Sequence, residues 1–234
     1  MEITQMDYLY WKHDMTAGDA YIIRINDHEF SEKMAKRCAS SCNRVGQPYQ
    51  FWDAYDGTGD TLKLPKHHND TMSMMKITNH YLTKGEVACA LSHISLWVQC
   101  VLLDKPIVIL EHDAIMLAPY KSHGVYNSIC YLGGEEQAIH NWNVTSVPPQ
   151  ASDGPNYRFI CRAHAYAIDP AVAKNMVAYV IKMGIHTSLD MMLRADLFPI
   201  HQMGLYAYDG FVDTTITGRE KVKTGMVLRF EVTK

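Results

Sequence analysis

Two acidic residues follow the most apolar short segment of the chain. Glu111 and Asp113 stand two residues apart, directly after residues 107–110, which are isoleucine, valine, isoleucine and leucine. Two carboxylates at this spacing can converge on one hard divalent cation through their oxygen atoms. A cation held by few protein ligands completes its coordination shell with substrate phosphates. From spacing alone, an acidic turn without a ligand explains these residues equally well.

The elements that would position this pair are predicted by residues 83–116. Thr83 and Glu86 have the spacing of a capping box, and apolar residues at helical spacing follow them. Residues 104–106 end that helix, because the proline among them cannot continue it. Residues 107–110 are apolar on both faces, as in a central parallel strand. Open α/β sheets place their ligands at the carboxyl ends of such strands.

Strands alternate with helices along much of the chain, which indicates an α/β fold with a mostly parallel central sheet flanked by helices. The other predicted strands cover residues 21–25, 49–52, 124–132, 157–168, 205–208 and 226–232. Two further helices are predicted, one over 31–42 capped by Ser31 and one over 171–183 that begins at Asp169-Pro170 and ends at Gly184. A short helix capped by Thr187-Ser188 ends at Leu193.

Composition predicts one soluble globular domain over residues 1–234, since 47% of the residues are hydrophobic and 20% are charged. Residues 1–19 are predicted to form a short element or a disordered lead-in. Residues 133–156 are predicted to form a long loop that is either disordered or functional, for example as a lid or an acceptor-binding loop. The net charge of −3 does not call for a nucleic-acid partner. We find no secretion signal and no membrane span. The six scattered cysteines suggest reduced thiols and a cytoplasmic protein.

Residues 82–116 resemble the signature of glycosyltransferase family 25, the lipooligosaccharide and collagen galactosyltransferase group. That family reads L-T-x-G-E-x-x-C-x-x-S-H, then a helix, then a buried strand that ends in E-D-D. The chain has LTKGEVACALSHISLW and then PIVILEHDA. The segment FWDAYDG at 51–57 and the segment RAHAYAID at 162–169, with Tyr166 at its centre, resemble flanking parts of the family. The resemblance spans about residues 20–210.

The chain departs from the family pattern in three places. Arg24 stands where the family usually has asparagine, and residues 26–30 replace an arginine-rich stretch. These two changes could alter which nucleotide-sugar fits. His112 replaces the middle acid of E-D-D, but the outer pair, Glu111 and Asp113, is kept.

The resemblance implies a GT-A-like, Rossmann-type fold and a glycosyltransferase (a hexosyl- or pentosyltransferase) that uses a nucleotide-sugar donor, with a UDP-sugar the first expectation. It also implies a divalent metal, Mn²⁺ or Mg²⁺, and an inverting single displacement. Asp113 would be a metal ligand, and Glu111 would bind the same metal or the donor ribose. Asp190 falls where the family carries a further acidic residue, so it is the candidate base. Its alternative role is to stabilise the first turn of a helix.

Several other residues are candidates with structural alternatives. Glu86, Ser92 and His93 would contact the donor; otherwise Glu86 only caps the helix, and His93 holds the loop at 111–113. Asp53 and Asp56 would contact the nucleotide, or they are ordinary turn residues. A third metal ligand could come from His201.

The acceptor would be a glycan, a hydroxylated base in nucleic acid such as modified DNA, or a protein side chain, and the sequence does not choose among them. Two other classes of function compete with sugar transfer. One is a metal-dependent phosphoesterase that uses the same acids with His112 and His93. The other is a non-catalytic protein that binds sugar nucleotides. The oligomeric state is not indicated.

Overall fold

The computed structural model describes residues 19–121, 127–133, 160 and 162–209. The predicted strand over 226–232 and nearly all of the long loop lie outside the described residues. The elements, in chain order, are β1 (Ala20–Arg24), α1 (Glu29–Val45), β2 (Tyr49–Asp53), α2 (Asp70–Ser73), α3 (Lys84–Leu103), β3 (Ile107–Leu110), β4 (Ala114–Met116), β5 (Ile129–Tyr131), β6 (Ala165–Ile168), α4 (Pro170–Met183), α5 (Leu189–Met192), β7 (Ile200–Gln202) and β8 (Ala207–Asp209).

A six-stranded sheet in the order β2-β1-β3-β6-β5-β7 forms the centre of the fold. The pairs β1–β2, β1–β3 and β5–β7 are parallel, whereas β6 is antiparallel to both β3 and β5. Five of the six strands therefore run in one direction, and the predicted mostly parallel α/β sheet is confirmed. Strands β4 and β8 form a separate antiparallel pair.

Strand β3 is apolar on both faces because both faces are covered by helices. Ile107 and Ile109 belong to a core cluster that includes buried residues of α3 and α4. Val108 and Leu110 belong to a second cluster on the opposite face, with buried residues of α1. The prediction that this segment is a central buried strand is therefore confirmed, and its carboxyl end is held rigidly between two helix layers.

Helix α3 is the core helix of one layer. Its length and composition alone would let it cross a membrane, but 67% of that apolar window is buried inside the protein. The predicted capping box is present: the Thr83 hydroxyl accepts the Glu86 N–H at 3.1 Å, and the Glu86 carboxylate accepts the Thr83 N–H at 2.8 Å. The helix ends at Asp104, whose φ of 50° lies in the left-handed region.

Replacing Thr83 with alanine is expected to lower the free energy of unfolding by about 1 kcal/mol, because the Glu86 N–H loses its acceptor. Chemical denaturation of the two proteins measures this difference. Thr83→Ser keeps the hydroxyl and should stay close to the wild type. An equal loss in the serine and alanine variants would contradict the capping role.

Some boundaries differ from the prediction. The cap of α1 is His28 and not Ser31: the His28 Nδ1 accepts the Ser31 N–H at 3.2 Å, while the buried Ser31 hydroxyl accepts the Ile25 N–H at 2.9 Å. The strand predicted at 205–208 is observed as β8, which pairs with β4 outside the central sheet. Among the described residues, five cysteines are present as free thiols: Cys38, Cys42, Cys89, Cys100 and Cys130.

Candidate active site

Four carboxylates lie together beyond the carboxyl end of β3, and we call them the acidic cluster: Glu111, Asp113, Asp190 and Asp209. The segment after β3 is fixed by backbone bonds, since the Glu111 N–H donates to the His164 carbonyl at 2.8 Å and the Ala114 N–H donates to the Glu111 carbonyl at 3.1 Å. Asp113 directly precedes β4, and β4 pairs with β8 so that Ala114 faces Asp209. The cluster therefore joins segments that are far apart in the chain.

Asp113 is a buried carboxylate with an unsatisfied oxygen. The residue is 8% exposed, and among the described residues its Oδ1 has no hydrogen-bond partner. Burial, followed by the charges of Glu111 and Asp209, raises the pKa of Asp113 to about 8. A buried acid whose ionisation is opposed in this way is stabilised by a cation, so Asp113 has the properties of a metal ligand.

Asp209 is held by a strained arginine. The Arg162 Nη2 lies 2.6 Å from the Asp209 Oδ2, and Arg162 has a φ of 67°, which is unusual for a residue with a side chain. Its backbone N–H donates to the Asp190 Oδ2 at 3.1 Å. Arg162 thus ties two acids of the cluster together. Neither Arg162 nor Asp209 is found by sequence reasoning, although each lies at an end of a short apolar segment.

Glu111 is bound by a buried histidine. The His93 Nε2 lies 3.2 Å from the Glu111 Oε1, and the His93 Nδ1 lies 2.8 Å from the Tyr166 hydroxyl. Burial opposes ionisation of Glu111, but the His93 hydrogen bond and the charges of nearby histidines together lower the pKa of its carboxyl. His93 therefore contacts the segment after β3 through Glu111, as the structural alternative to a donor contact predicted.

Asp190 lies in the first turn of α5, as its structural alternative predicted, and it also reaches the cluster. Its two oxygens accept the backbone N–H groups of Arg162 at 3.1 Å and Ala163 at 3.3 Å. Burial and then the charge of Glu111 raise the pKa of Asp190 to about 6, although these two hydrogen bonds oppose the change. A carboxylate with a pKa close to neutral can exchange a proton with an acceptor hydroxyl.

Cys89, His93 and Glu111 also lie close together, with their ligand atoms within 4.8 Å of one another. Burial, and then the charges of Glu111, Asp190 and Asp113, raise the pKa of the Cys89 thiol well above its ordinary value. Thiolate and imidazole ligands suit softer ions such as Zn²⁺, whereas carboxylate oxygens suit hard ions such as Mg²⁺ and Mn²⁺, and the His93 nitrogen already faces a carboxylate. The oxygen atoms of the acidic cluster are therefore the better cation site.

His112 points away from the cluster. Its Nδ1 lies 3.5 Å from the Ser31 hydroxyl, and its ring meets the Phe30 ring edge-on at 6.4 Å, at the start of α1. The exchange of an acid for histidine at this position therefore leaves the neighbouring pair, Glu111 and Asp113, in place. The two ring nitrogens of the buried His93 face Glu111 and Tyr166, and His112 contacts Ser31, so neither histidine is placed as the phosphoesterase hypothesis requires.

Three predicted residues are not brought to the cluster. His201 is exposed on β7, which is three strands, or about 14 Å, away from β3, so the structure does not support its role as a third ligand to the same metal. Ser92 is buried, and its hydroxyl is used by the Tyr55 N–H and the Ala88 carbonyl. The Glu86 carboxylate accepts hydrogen bonds from the Thr83 N–H and hydroxyl at the cap of α3.

Asp53 and Asp56 lie at the end of β2, on the same edge of the sheet as Glu111 and about 10 Å from β3. The Asp53 Oδ1 lies 3.4 Å from the Arg24 Nε, and the Arg24 guanidinium lies over the Phe51 ring at 4.5 Å. Asp56 is buried in its own turn, where its Oδ1 accepts the Thr58 N–H at 2.8 Å. Asp53 is thus paired with Arg24 at the edge of the sheet, whereas Asp56 shapes its own loop.

The chain is similar to one known protein family and, distantly, to a solved structure. The family model of glycosyltransferase family 25 (LPS biosynthesis protein) matches residues 19–147, which is more than half of the 234 residues. No curated protein matches the chain. One similar solved structure is the galactosyltransferase LgtC in complex with donor and acceptor sugar analogs, with 10% identity, 79% of this chain and 72% of that chain covered, and a TM-score of 0.37. A likeness this distant assigns no residue of the site.

Proposed function

The chain belongs to glycosyltransferase family 25 and is a glycosyltransferase, and from this premise we propose that it moves a sugar from a UDP-sugar to a hydroxyl acceptor in a metal-dependent, inverting displacement. The observation that carries the proposal is the buried Asp113 Oδ1, which has no hydrogen-bond partner in the described part of the chain and lies within a cluster of four carboxylates.

The residues present fit a hard divalent cation such as Mn²⁺ or Mg²⁺. Asp113 and Glu111 would hold the ion, and Asp209 would be the third ligand in place of His201. All three are carboxylates, the ligand type that these ions prefer. When bound, such an ion neutralises charge that develops on a departing diphosphate.

The residues of the chain itself can place donor and acceptor. Arg24 and Asp53, at the carboxyl ends of β1 and β2, would contact the nucleotide. Asp190 would accept the proton of the acceptor hydroxyl as that oxygen attacks the anomeric carbon. In this displacement the new carbon–oxygen bond forms as the bond to the diphosphate breaks, so the configuration at the anomeric carbon inverts. The diphosphate leaves with the electron pair.

Charge favours a neutral acceptor. The proposed site contains the four carboxylates of the acidic cluster, and the whole chain has a net charge of −3. A nucleic-acid acceptor would need basic residues to neutralise its phosphates. We therefore propose a glycan hydroxyl ahead of a hydroxylated nucleobase.

A donor panel tests this function. With Mn²⁺ present, we expect one or a few UDP-sugars to release UDP, and a glycan acceptor to raise that release and to give a product of inverted configuration by NMR. Chelation with EDTA should remove the activity, and added Mn²⁺ should restore it. Release of UDP that persists in EDTA, or a product of retained configuration, would contradict the metal or the inverting part of the proposal.

A further inference from the structure

A buried chain of hydrogen bonds leads from the interior of the protein to Glu111. The Trp97 Nε1–H donates to the Tyr166 hydroxyl oxygen at 2.9 Å, and that hydroxyl lies 2.8 Å from the His93 Nδ1. The His93 Nε2 lies 3.2 Å from the Glu111 carboxylate. Trp97 and His93 are each 1% exposed and Tyr166 is 0% exposed. We call these four residues the relay.

Donors and acceptors allow one consistent direction along the relay. The two ends of the relay have fixed roles, since the Trp97 indole N–H can only donate and the ionised Glu111 carboxylate can only accept. A neutral His93 that donates from Nε2 to Glu111 has an acceptor at Nδ1. The Tyr166 hydroxyl therefore donates to the His93 Nδ1, and its oxygen accepts from Trp97. Every polar atom along the buried line is satisfied in this arrangement.

The relay also fixes the two rings against each other. The His93 and Tyr166 rings are stacked, with centroids 5.7 Å apart and planes 12° from parallel. Strand β6 carries Tyr166 and helix α3 carries His93 and Trp97, so the relay joins the helix layer to the sheet. The side chain it reaches, Glu111, is 29% exposed and faces the acidic cluster.

We propose that Tyr166 and His93 are positioning residues, which orient the Glu111 carboxylate for the divalent cation by fixing the histidine as a donor from Nε2. This inference rests on the proposed metal-dependent function. Without the Tyr166 hydroxyl, either ring nitrogen of His93 can carry the proton, and a bare Nε2 would repel the Glu111 oxygen. Loss of a hydrogen bond behind a metal ligand typically weakens metal binding by about 10- to 100-fold.

The test measures Mn²⁺ binding directly, through the electron paramagnetic resonance signal of the free ion. Tyr166→Phe is expected to raise the Kd for Mn²⁺ by about 10- to 100-fold. Trp97→Phe is the matched control, because it removes a buried N–H but leaves Tyr166, His93 and Glu111 bonded to one another. It should lower the melting temperature yet change the Kd by less than about threefold.

A second pair of variants keeps the proposal testable if Tyr166→Phe does not fold. His93→Gln retains an N–H that can reach Glu111 and should recover part of the Mn²⁺ affinity that His93→Leu loses. An unchanged Kd in Tyr166→Phe, an equal change in Trp97→Phe, or equal affinities of the glutamine and leucine variants would each overturn the inference. If the wild type itself binds no Mn²⁺ and releases no UDP, the proposed function fails instead.

Discussion

Asp113→Asn is expected to lower kcat/KM by about 10³-fold, which corresponds to about 4 kcal/mol of transition-state stabilisation. The reason is that Asp113 is buried and its Oδ1 has no hydrogen-bond partner among the described residues, so a cation would satisfy it. An amide oxygen in the same place has no charge with which to hold the cation. Release of UDP from the preferred donor measures the effect.

Metal binding by the same variant gives a reading that does not depend on turnover. At a free Mn²⁺ concentration 100 times the Kd, the ion should stabilise the wild type by about 2.7 kcal/mol, and the melting temperature should rise accordingly. Asp113→Asn should show almost no rise. Asp60→Asn, in an exposed turn, is the matched control and should keep both the rise and the activity. A full Mn²⁺ shift in Asp113→Asn would refute the ligand assignment.

Without metal, the Asp113→Asn variant should be at least as stable as the wild type. The pKa of Asp113 in the fold is about 8, whereas an unfolded aspartate titrates near 4. The folded state therefore holds this proton more tightly, and the stability of the metal-free wild type falls as the pH rises from about 4 to about 8. Asparagine does not titrate, so at pH 8 the variant should melt at the same temperature or higher. Loss of activity would then not result from unfolding.

The local part of this site was predictable because its signals lie within a few residues of one another. The Thr83 capping box, the proline at 106 and the apolar run at 107–110 each act through neighbouring backbone, and each is observed as predicted. A short run of consecutive apolar residues is typical of a strand that is buried on both faces. The position of Glu111 and Asp113 at its end follows directly.

The remote part was not predictable because it depends on pairing between distant segments. Asp209 reaches the cluster through the pairing of β4 with β8, two three-residue strands whose sequence signal is too short to set a register. Arg162 reaches it through a backbone conformation that few non-glycine residues adopt. His201 illustrates the same limit: its residue type suits a metal, but residue type does not predict that its strand lies at the edge of the sheet, three strands from β3.

His93, in helix α3, matches the histidine of the family signature, and its contacts in the fold are with other side chains of the protein. Helical spacing places His93 on a face with Glu86, which suggested a shared donor contact. In the fold, Glu86 closes the helix cap and His93 bonds Tyr166, which is 73 residues later in the chain. Spacing predicts which residues share a helix face, but it does not predict which strand packs against that face.

Asp190→Asn is expected to lower kcat by about 10²- to 10⁴-fold and to leave the Kd for Mn²⁺ nearly unchanged, because general-base catalysis contributes a factor of this size. Asp190 is fixed by the N–H groups of Arg162 and Ala163, so the carboxylate is held in one orientation beside Glu111. Asparagine keeps one acceptor oxygen but cannot take the proton of the acceptor hydroxyl. Single-turnover transfer to a glycan acceptor measures the chemical step.

The pH dependence separates a base from a residue that only anchors β6. A base works when it is ionised, so kcat/KM for the wild type should fall about tenfold per pH unit below the pKa of Asp190, which is about 6 in the free protein. The residual activity of Asp190→Asn should lack that acidic limb, since asparagine does not titrate. If the variant instead keeps the limb and loses less than about tenfold in kcat, its lower stability accounts for the whole effect. In that case Asp190 only ties α5 to the backbone before β6, and the base is another group of the site.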